Sequence, residues 1–434
     1  MGGPTGRRVD CGAGRDYHRF PVIARASPST PGRTILAARV IIFVTFLDLF
    51  IQFPVVAPYA RDLGASPVMI GFIVGIYSAL NLVGNLVTGV ALDRWGRRRP
   101  VLLGLAASVA SLFGYALAAT PEHLLGVRAL HGVATAVLTP GAFALIGDNA
   151  AIDRRARTMG VSGAIIAVAA VLGPPLGGMA RDRLGFGAPF VIGAILMAAA
   201  GLAFLIWARE AEPVESTPRD LIGGVSYLGL WTRGPLVAAY LTVLAFTIGL
   251  GVLVTHLPLI LTQGPGAVSA IAQGGSGGRN GLAFTVYAVV AMALMAGPAN
   301  RISDARGRYG PIATGLLLIA GGTMMLASAT GYALVLAGMG LFGFGFGLLF
   351  PPVTALIVEV TIRRERGAAF GIFYAIYSLG VVIGSVASGF LAELLGSDTR
   401  APFFVSALVA SIAAPAVFVL GRAVVARAEH SASA

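Results

Sequence analysis

Three ionisable residues interrupt long apolar runs. Asp48 lies in FLDLFIQFPVVAP, and Arg128 and His131 lie three apart in RALHGVATAV. An ionised carboxylate in the centre of a bilayer costs at least about 2.5–3.5 kcal/mol, so such a residue is a functional candidate by default. A carboxyl group in that setting suits a carrier that loads a proton on one side and unloads it on the other. The competing reading is a structural aspartate hydrogen-bonded to its neighbours. Arg128 cannot lose its proton, so it needs a carboxylate or an anionic substrate, and Asp48 is one candidate partner. His131 could share a proton relay or serve only as a hydrogen-bonding group. His256, in VTHLPLIL, reads as a residue near the outer rim. There is no metal-spaced His/Cys cluster, no nucleophile motif and no loop domain large enough for catalysis. The expectation is therefore no enzyme, no catalytic residue, no metal and no cofactor.

The elements that must hold these residues are membrane helices. The chain has 434 residues, 56% hydrophobic and only 12% charged, against about 25% charged in soluble domains. Apolar runs near the ~20 residues that span a bilayer as a helix recur throughout. Twelve helices are expected, at 36–59, 69–91, 100–119, 122–147, 158–180, 187–208, 236–262, 281–299, 309–328, 332–360, 367–392 and 401–424; eleven is the alternative count. Every one of the 31 basic residues is arginine. Nucleic-acid binding would be the usual reading of so basic a chain, but the arginines stand between apolar runs. Twenty-five fall in the alternate loops that share a side with both termini, and five (Arg61, Arg181, Arg183, Arg279 and Arg400) in the opposite set. The positive-inside rule then puts both termini in the cytoplasm, in a multi-pass protein of the cell's inner (plasma) membrane. Residues 1–35 have no apolar segment of signal-peptide type and read as a disordered cytoplasmic tail. Cys11 is the only cysteine, so an intrachain disulfide is excluded.

The chain repeats itself with an offset of 211 residues. Asp93, Gly96 and Arg97 land on Asp304, Gly307 and Arg308; Pro140 lands on Pro351; Asp148 falls on Glu359 and Gly178 on Gly389. Two six-helix halves in tandem are implied, at 36–208 and 236–424, with a charged cytoplasmic linker at 209–235 and a cytoplasmic tail at 425–434. Parallel halves related by an axis along the membrane normal are a transporter design, with substrate bound between them near the midplane.

These residues resemble the major facilitator superfamily, over nearly all of the chain after residue 36. The stretch Gly89-Val90-Ala91-Leu92-Asp93-Arg94-Trp95-Gly96-Arg97-Arg98 is similar to that family's G-x-L-a-D-R-x-G-R-R signature, with Ala91 and Leu92 exchanging the usual order. A weaker copy survives as Asp304, Gly307 and Arg308, with Asn300 in the glycine position. Physically, Gly89 and Gly96 allow close backbone approach and a tight turn. Asp93 can accept bonds from a neighbouring helix N-terminus and meet its dipole, and Arg97 can bridge to Asp148. The resemblance implies that this network latches the two halves in the outward-open state and gates alternating access. The alternative is that the arginines mark topology alone.

Two further stretches resemble the family's drug/proton antiporters. Arg128, His131 and Gly132 fall on R-x-x-q-G-x-g, with histidine for glutamine and Ala134 for the second glycine. Gly173, Pro174, Gly177 and Gly178 fit g-x-x-x-G-P-x-x-G-G, with Ala169 for the first glycine. Proline kinks a helix and the glycines let a neighbour approach; the resemblance implies export. Gln52, Asn81, Asn85, Tyr287, Tyr374 and Tyr377 are polar groups on apolar helices that could line a cavity. Such groups also serve as interhelical glue. GFGFG at 343–347 lacks the strand–turn–helix context of a dinucleotide site and reads as close helix packing. The expected function is proton-coupled efflux of a small amphiphilic or drug-like molecule by a monomer in the lipid bilayer. The rivals are a symporter or uniporter that takes up sugars, organic acids or other metabolites, and a membrane sensor that has kept the fold and lost transport.

Overall fold

A computed structural model describes residues 30–150, 155–208, 227–263, 275–362, 365–396 and 399–433, and among these residues there are helices and no strands. The first half comprises α1 (Thr30–Gln52), α2 (Val56–Asp62), α3 (Pro67–Trp95), α4 (Arg98–Ala116), α5 (Pro121–Thr135), α6 (Leu138–Asn149), α7 (Arg155–Leu184) and α8 (Ala188–Trp207). A short α9 (Tyr227–Thr232) falls within the expected linker. The second half comprises α10 (Gly234–Gln263), α11 (Ser276–Met295), α12 (Pro298–Arg306), α13 (Tyr309–Ala327), α14 (Tyr332–Val360), α15 (Arg366–Leu394) and α16 (Ala401–Ser433). Twelve stretches of the described chain are long and apolar enough to cross a membrane. Most of the N-terminal tail and of the linker lies outside the described residues.

Proline explains where the expected helices break. The span expected at 36–59 is interrupted between α1 and α2. Pro54 has no N–H for the Phe50 carbonyl, and Phe53 and Val55 bond only three residues back, to Phe50 and Gln52 at 3.3 and 3.0 Å. Pro140 likewise leaves the Ala136 carbonyl without its helical donor, and the span expected at 122–147 splits into α5 and α6. The span expected at 281–299 starts earlier, at Ser276, and ends at Met295, with Pro298 opening a separate α12. The final helix runs on to Ser433, through the segment expected to be a tail.

The repeat is structural. Gly96 and Gly307 both take φ 77°, and Gly185 and Gly396 take φ 88° and 72°, the left-handed region open to a residue without Cβ. Gly132 packs against the backbone of Tyr77 and Gly343 against that of Tyr287. The halves meet along two seams, α7 against α11 and α3 against α15. At the ends away from the arginine-rich loops the backbones nearly touch. A Cβ on Gly71 would meet the Ser385 carbonyl at 2.5 Å, and one on Gly178 would overlap the carbonyl of Gly277. At the arginine-rich ends, Gly89, Gly160, Gly163, Gly367 and Gly371 have nothing within 4 Å of where a Cβ would stand. The molecule is closed at one end and open at the arginine-rich end.

Candidate proton and substrate site

Asp48 and Gln52 are four apart on α1 and so share a helix face. Arg128, His131 and Thr135 share a face of α5 by the same spacing. These two faces meet inside the first half, where Asp48, Gln52, Arg128 and His131 are all at most 4% exposed. Gln52 Nε2 donates to Asp48 Oδ1 at 2.9 Å, and Gln52 Oε1 accepts from Arg128 Nη1. The amide thus stands between the carboxylate and the guanidinium. Arg128 Nε donates to the Ile73 carbonyl at 2.9 Å, its Nη1 lies 3.4 Å from the Tyr115 hydroxyl, and its guanidinium sits 5.0 Å over the Tyr77 ring. His131 Nε2 is 3.3 Å from Asp48 Oδ2, without the alignment of a hydrogen bond, while its Nδ1 is 3.3 Å from the Tyr115 hydroxyl.

The carboxylate faces into its own half. A Cβ on Gly193 of α8 would stand 3.1 Å from Asp48 Oδ1 and 3.6 Å from Leu112 of α4. Asp48 is therefore faced by His131 of α5 and Gly193 of α8. The other side of α1 is aromatic: Phe46 stacks on Phe50 at 6.3 Å, Phe50 meets Phe53, and Phe53 meets Phe284 of the second half at 5.5 Å. One helix thus presents the carboxylate to the interior of a half and an aromatic ladder towards the seam. The second half carries no charge at the positions 211 residues on, with Leu259 in the place of Asp48. At the positions equivalent to Arg128 and His131 it carries Met339 and Phe342, both fully buried, with Phe342 packed on Tyr287 and Phe246.

The expected cavity residues divide. Gln52 is buried as the bridge just described. Asn81 donates to the Gly132 carbonyl at 3.2 Å and to Thr135 at 3.3 Å, so it ties α3 to α5, and the exposed Asn85 donates to Asn81 at 2.9 Å. Tyr287 is 9% exposed and belongs to an aromatic pack with Phe342 and Phe346. Tyr377 is half-buried against Phe246, and Tyr374 is 56% exposed. His256 is 1% exposed and lies seven residues from the arginine-poor end of α10. Tyr77, Tyr115, Thr135 and Gly193 had no distinguishing mark in the sequence, because each is joined to the site by contacts between separate helices.

In the loops, Arg97 Nε lies 3.4 Å from Asp148 Oδ2, and Arg97 Nη1 donates to the Leu92 carbonyl at 2.8 Å. The copy in the second half has Arg308 bonded to Glu359 at 2.6 Å and to Asp304 at 2.7 Å. Each pair lies within one half. The Asp93 side chain lies outside the described residues. Gly96 makes the expected tight turn. Gly89 does not make the expected close approach, because the arginine-rich ends stand apart. In α7, Gly173 packs on Phe50 and Gly177 on the Ile51 carbonyl of α1, while Gly178 meets Gly277 and the Pro174 carbonyl meets Gly281, both of the other half.

The model of the Major Facilitator Superfamily matches residues 40–278 and 266–433. The chain belongs to the major facilitator superfamily. Members of this superfamily are transporters, not enzymes. This facilitator is 25% identical to an uncharacterised MFS-type transporter of Methanocaldococcus jannaschii, over 82% of this chain and 90% of the relative. It is 25% identical to multidrug resistance protein 1 of Bacillus subtilis, over 86% and 92%. Its fold is similar to that of a bacterial homologue of the human lysosomal transporter Spinster, solved inward-facing and unoccupied, with TM-score 0.76 and 16% identity over 92% of this chain and 98% of that one. The facilitator is thus a multi-pass secondary transporter of a small molecule.

Proposed function

We propose that this facilitator exports small amphiphilic or drug-like molecules in exchange for protons, and that Asp48 carries the proton. The observation behind this reading is the enclosed Asp48–Gln52–Arg128 chain: a titratable carboxylate wired through one amide to a fixed cation. An ionised Asp48 is balanced by Arg128, and a protonated Asp48 needs no balance, so the site tolerates both states. The half-exposed aromatic ladder of Phe46, Phe50 and Phe53, with Phe346, Phe350 and Tyr377 in the second half, suits a flat apolar cargo. The similarity to a multidrug resistance protein supports export. An uptake carrier that held an anion on Arg128 would need that guanidinium to face the cargo, whereas Gln52, Ile73 and Tyr115 already take it. On this reading the arginine-rich end is cytoplasmic, together with residues 1–35, 209–235 and 425–434, and the conformation is inward-facing. The loops around Asp93 and Asp304 then close that end in the opposite conformation.

Energised inside-out vesicles, acidic within, test this. A lipophilic cation or neutral drug added outside will raise the lumenal pH as protons leave in exchange. Proton release driven by sugars or organic acids alone, or by nothing in the panel, contradicts efflux of drug-like cargo.

A further inference from the structure

The stretch Gly274-Gly275-Ser276-Gly277-Gly278 opens α11 and has no role in any motif. Its described part surrounds a carboxylate from the other half. Asp182, near the end of α7, accepts from Gly277 N–H on Oδ1 at 2.9 Å and from Gly278 N–H on Oδ2 at 2.7 Å. A Cβ on Gly275 or Gly277 would stand 2.5 or 2.7 Å from those carboxylate oxygens. The glycines thus clear the space that the carboxylate fills. The first N–H groups of a helix have no partner within it and carry the positive end of its dipole, so an acid from outside is well matched to them.

The second half repeats this arrangement. Residue 182 plus 211 is 393, and Glu393 near the end of α15 accepts from Val68 N–H on Oε2 at 3.2 Å, in the first turn of α3. Beside each acid the backbones of the two halves are in contact, Gly178 on Gly277 and Gly389 on the Pro67 carbonyl. Both caps cross from one half to the other, and both sit at the closed end. Neither can persist if the halves separate there.

We propose that Asp182 and Glu393 are a matched pair of gating residues for transport, each closing the end opposite the arginine-rich loops by capping a helix of the other half. The arginine-rich loops hold one end and these two acids hold the other. This rests on alternating access alone and is independent of which ion or cargo moves.

The test uses the full chain in lipid nanodiscs with Cys11→Ser, and spin labels at Leu117→Cys and Thr330→Cys, exposed positions of the closed end on opposite halves. The label–label distance distribution is dominated by a short component when that end is closed. Asp182→Asn and Glu393→Gln will each raise the long-distance fraction, and together by roughly fivefold or more. Asp182→Glu will recover the short component in part. Glu122→Gln, an acid in the first turn of α5 at the same end, will leave the distribution unchanged. An unchanged distribution in the double variant overturns the proposal. Each single variant is read by the same criterion, so a double variant that fails to fold leaves the test standing.

Discussion

Arg128→Met will cut transport about a hundredfold while leaving the protein folded. The substitution installs the residue that the second half carries at the equivalent position, so volume and helix propensity are served. What it removes is the fixed positive charge behind Gln52. Every release of a proton from Asp48 would then leave a lone carboxylate in the apolar interior, at a cost of at least about 2.5–3.5 kcal/mol, or on the order of 10² in an equilibrium. The loss of stability is smaller. Interhelical polar contacts within membranes average about 0.6 kcal/mol each, so the loss of those to Gln52, Ile73 and Tyr115 comes to about 2 kcal/mol, and Asp48 can answer the lost charge by keeping its proton. Thermal unfolding in detergent and vesicle transport, measured on one preparation, separate the two effects. A stability loss as large as the transport loss would assign Arg128 to structure.

Gly177 and Gly178 are adjacent in one motif, yet they answer to different partners. A Cβ on Gly177 runs into the Ile51 carbonyl, within the first half. A Cβ on Gly178 runs into the Gly277 carbonyl, across the seam. Overpacking of a tight contact costs about 1–3 kcal/mol. For Gly177→Ala that cost is present in every conformation, and it will appear as lowered thermal stability. For Gly178→Ala it is present only when the seam is closed. It will shift the balance towards the opposite conformation by roughly 5–150-fold and slow the transport cycle accordingly. The Leu117–Thr330 spin-label distance reports the shift. Equal effects of the two alanines would mean that the motif serves helix packing alone.

The membrane spans, the tandem halves and the charge-bearing loops were legible in the sequence because each is a local pattern. Hydropathy marks a span in about twenty residues, and the 211-residue offset brings Gly96 onto Gly307, which adopt the same φ. Asp48, Arg128 and His131 stood out because charge among apolar residues is conspicuous. Gln52 is visible as a polar residue, but its partner is not. Four residues after Asp48 it could either face a cavity or bridge a neighbour, and the choice depends on α5, 76 residues away. Tyr115 and Tyr77 look like any aromatic on a membrane helix until Arg128 and His131 are placed against them. The breaks at Pro54 and Pro140 were open to a closer reading of the helical bonds that proline forfeits. Asp182 and Glu393, near the ends of α7 and α15, belong to no motif, although the repeat itself aligns them.

Asp48→Asn in proteoliposomes tests the central claim most directly. Because the carboxylate is buried in the first half beside Gly193 and His131, the account predicts that the variant still binds cargo, within about threefold in Kd, less than ~0.7 kcal/mol, while cargo-driven proton release is lost. Proton release that persists at the level of the unsubstituted protein would contradict it, and would move the proton to another group.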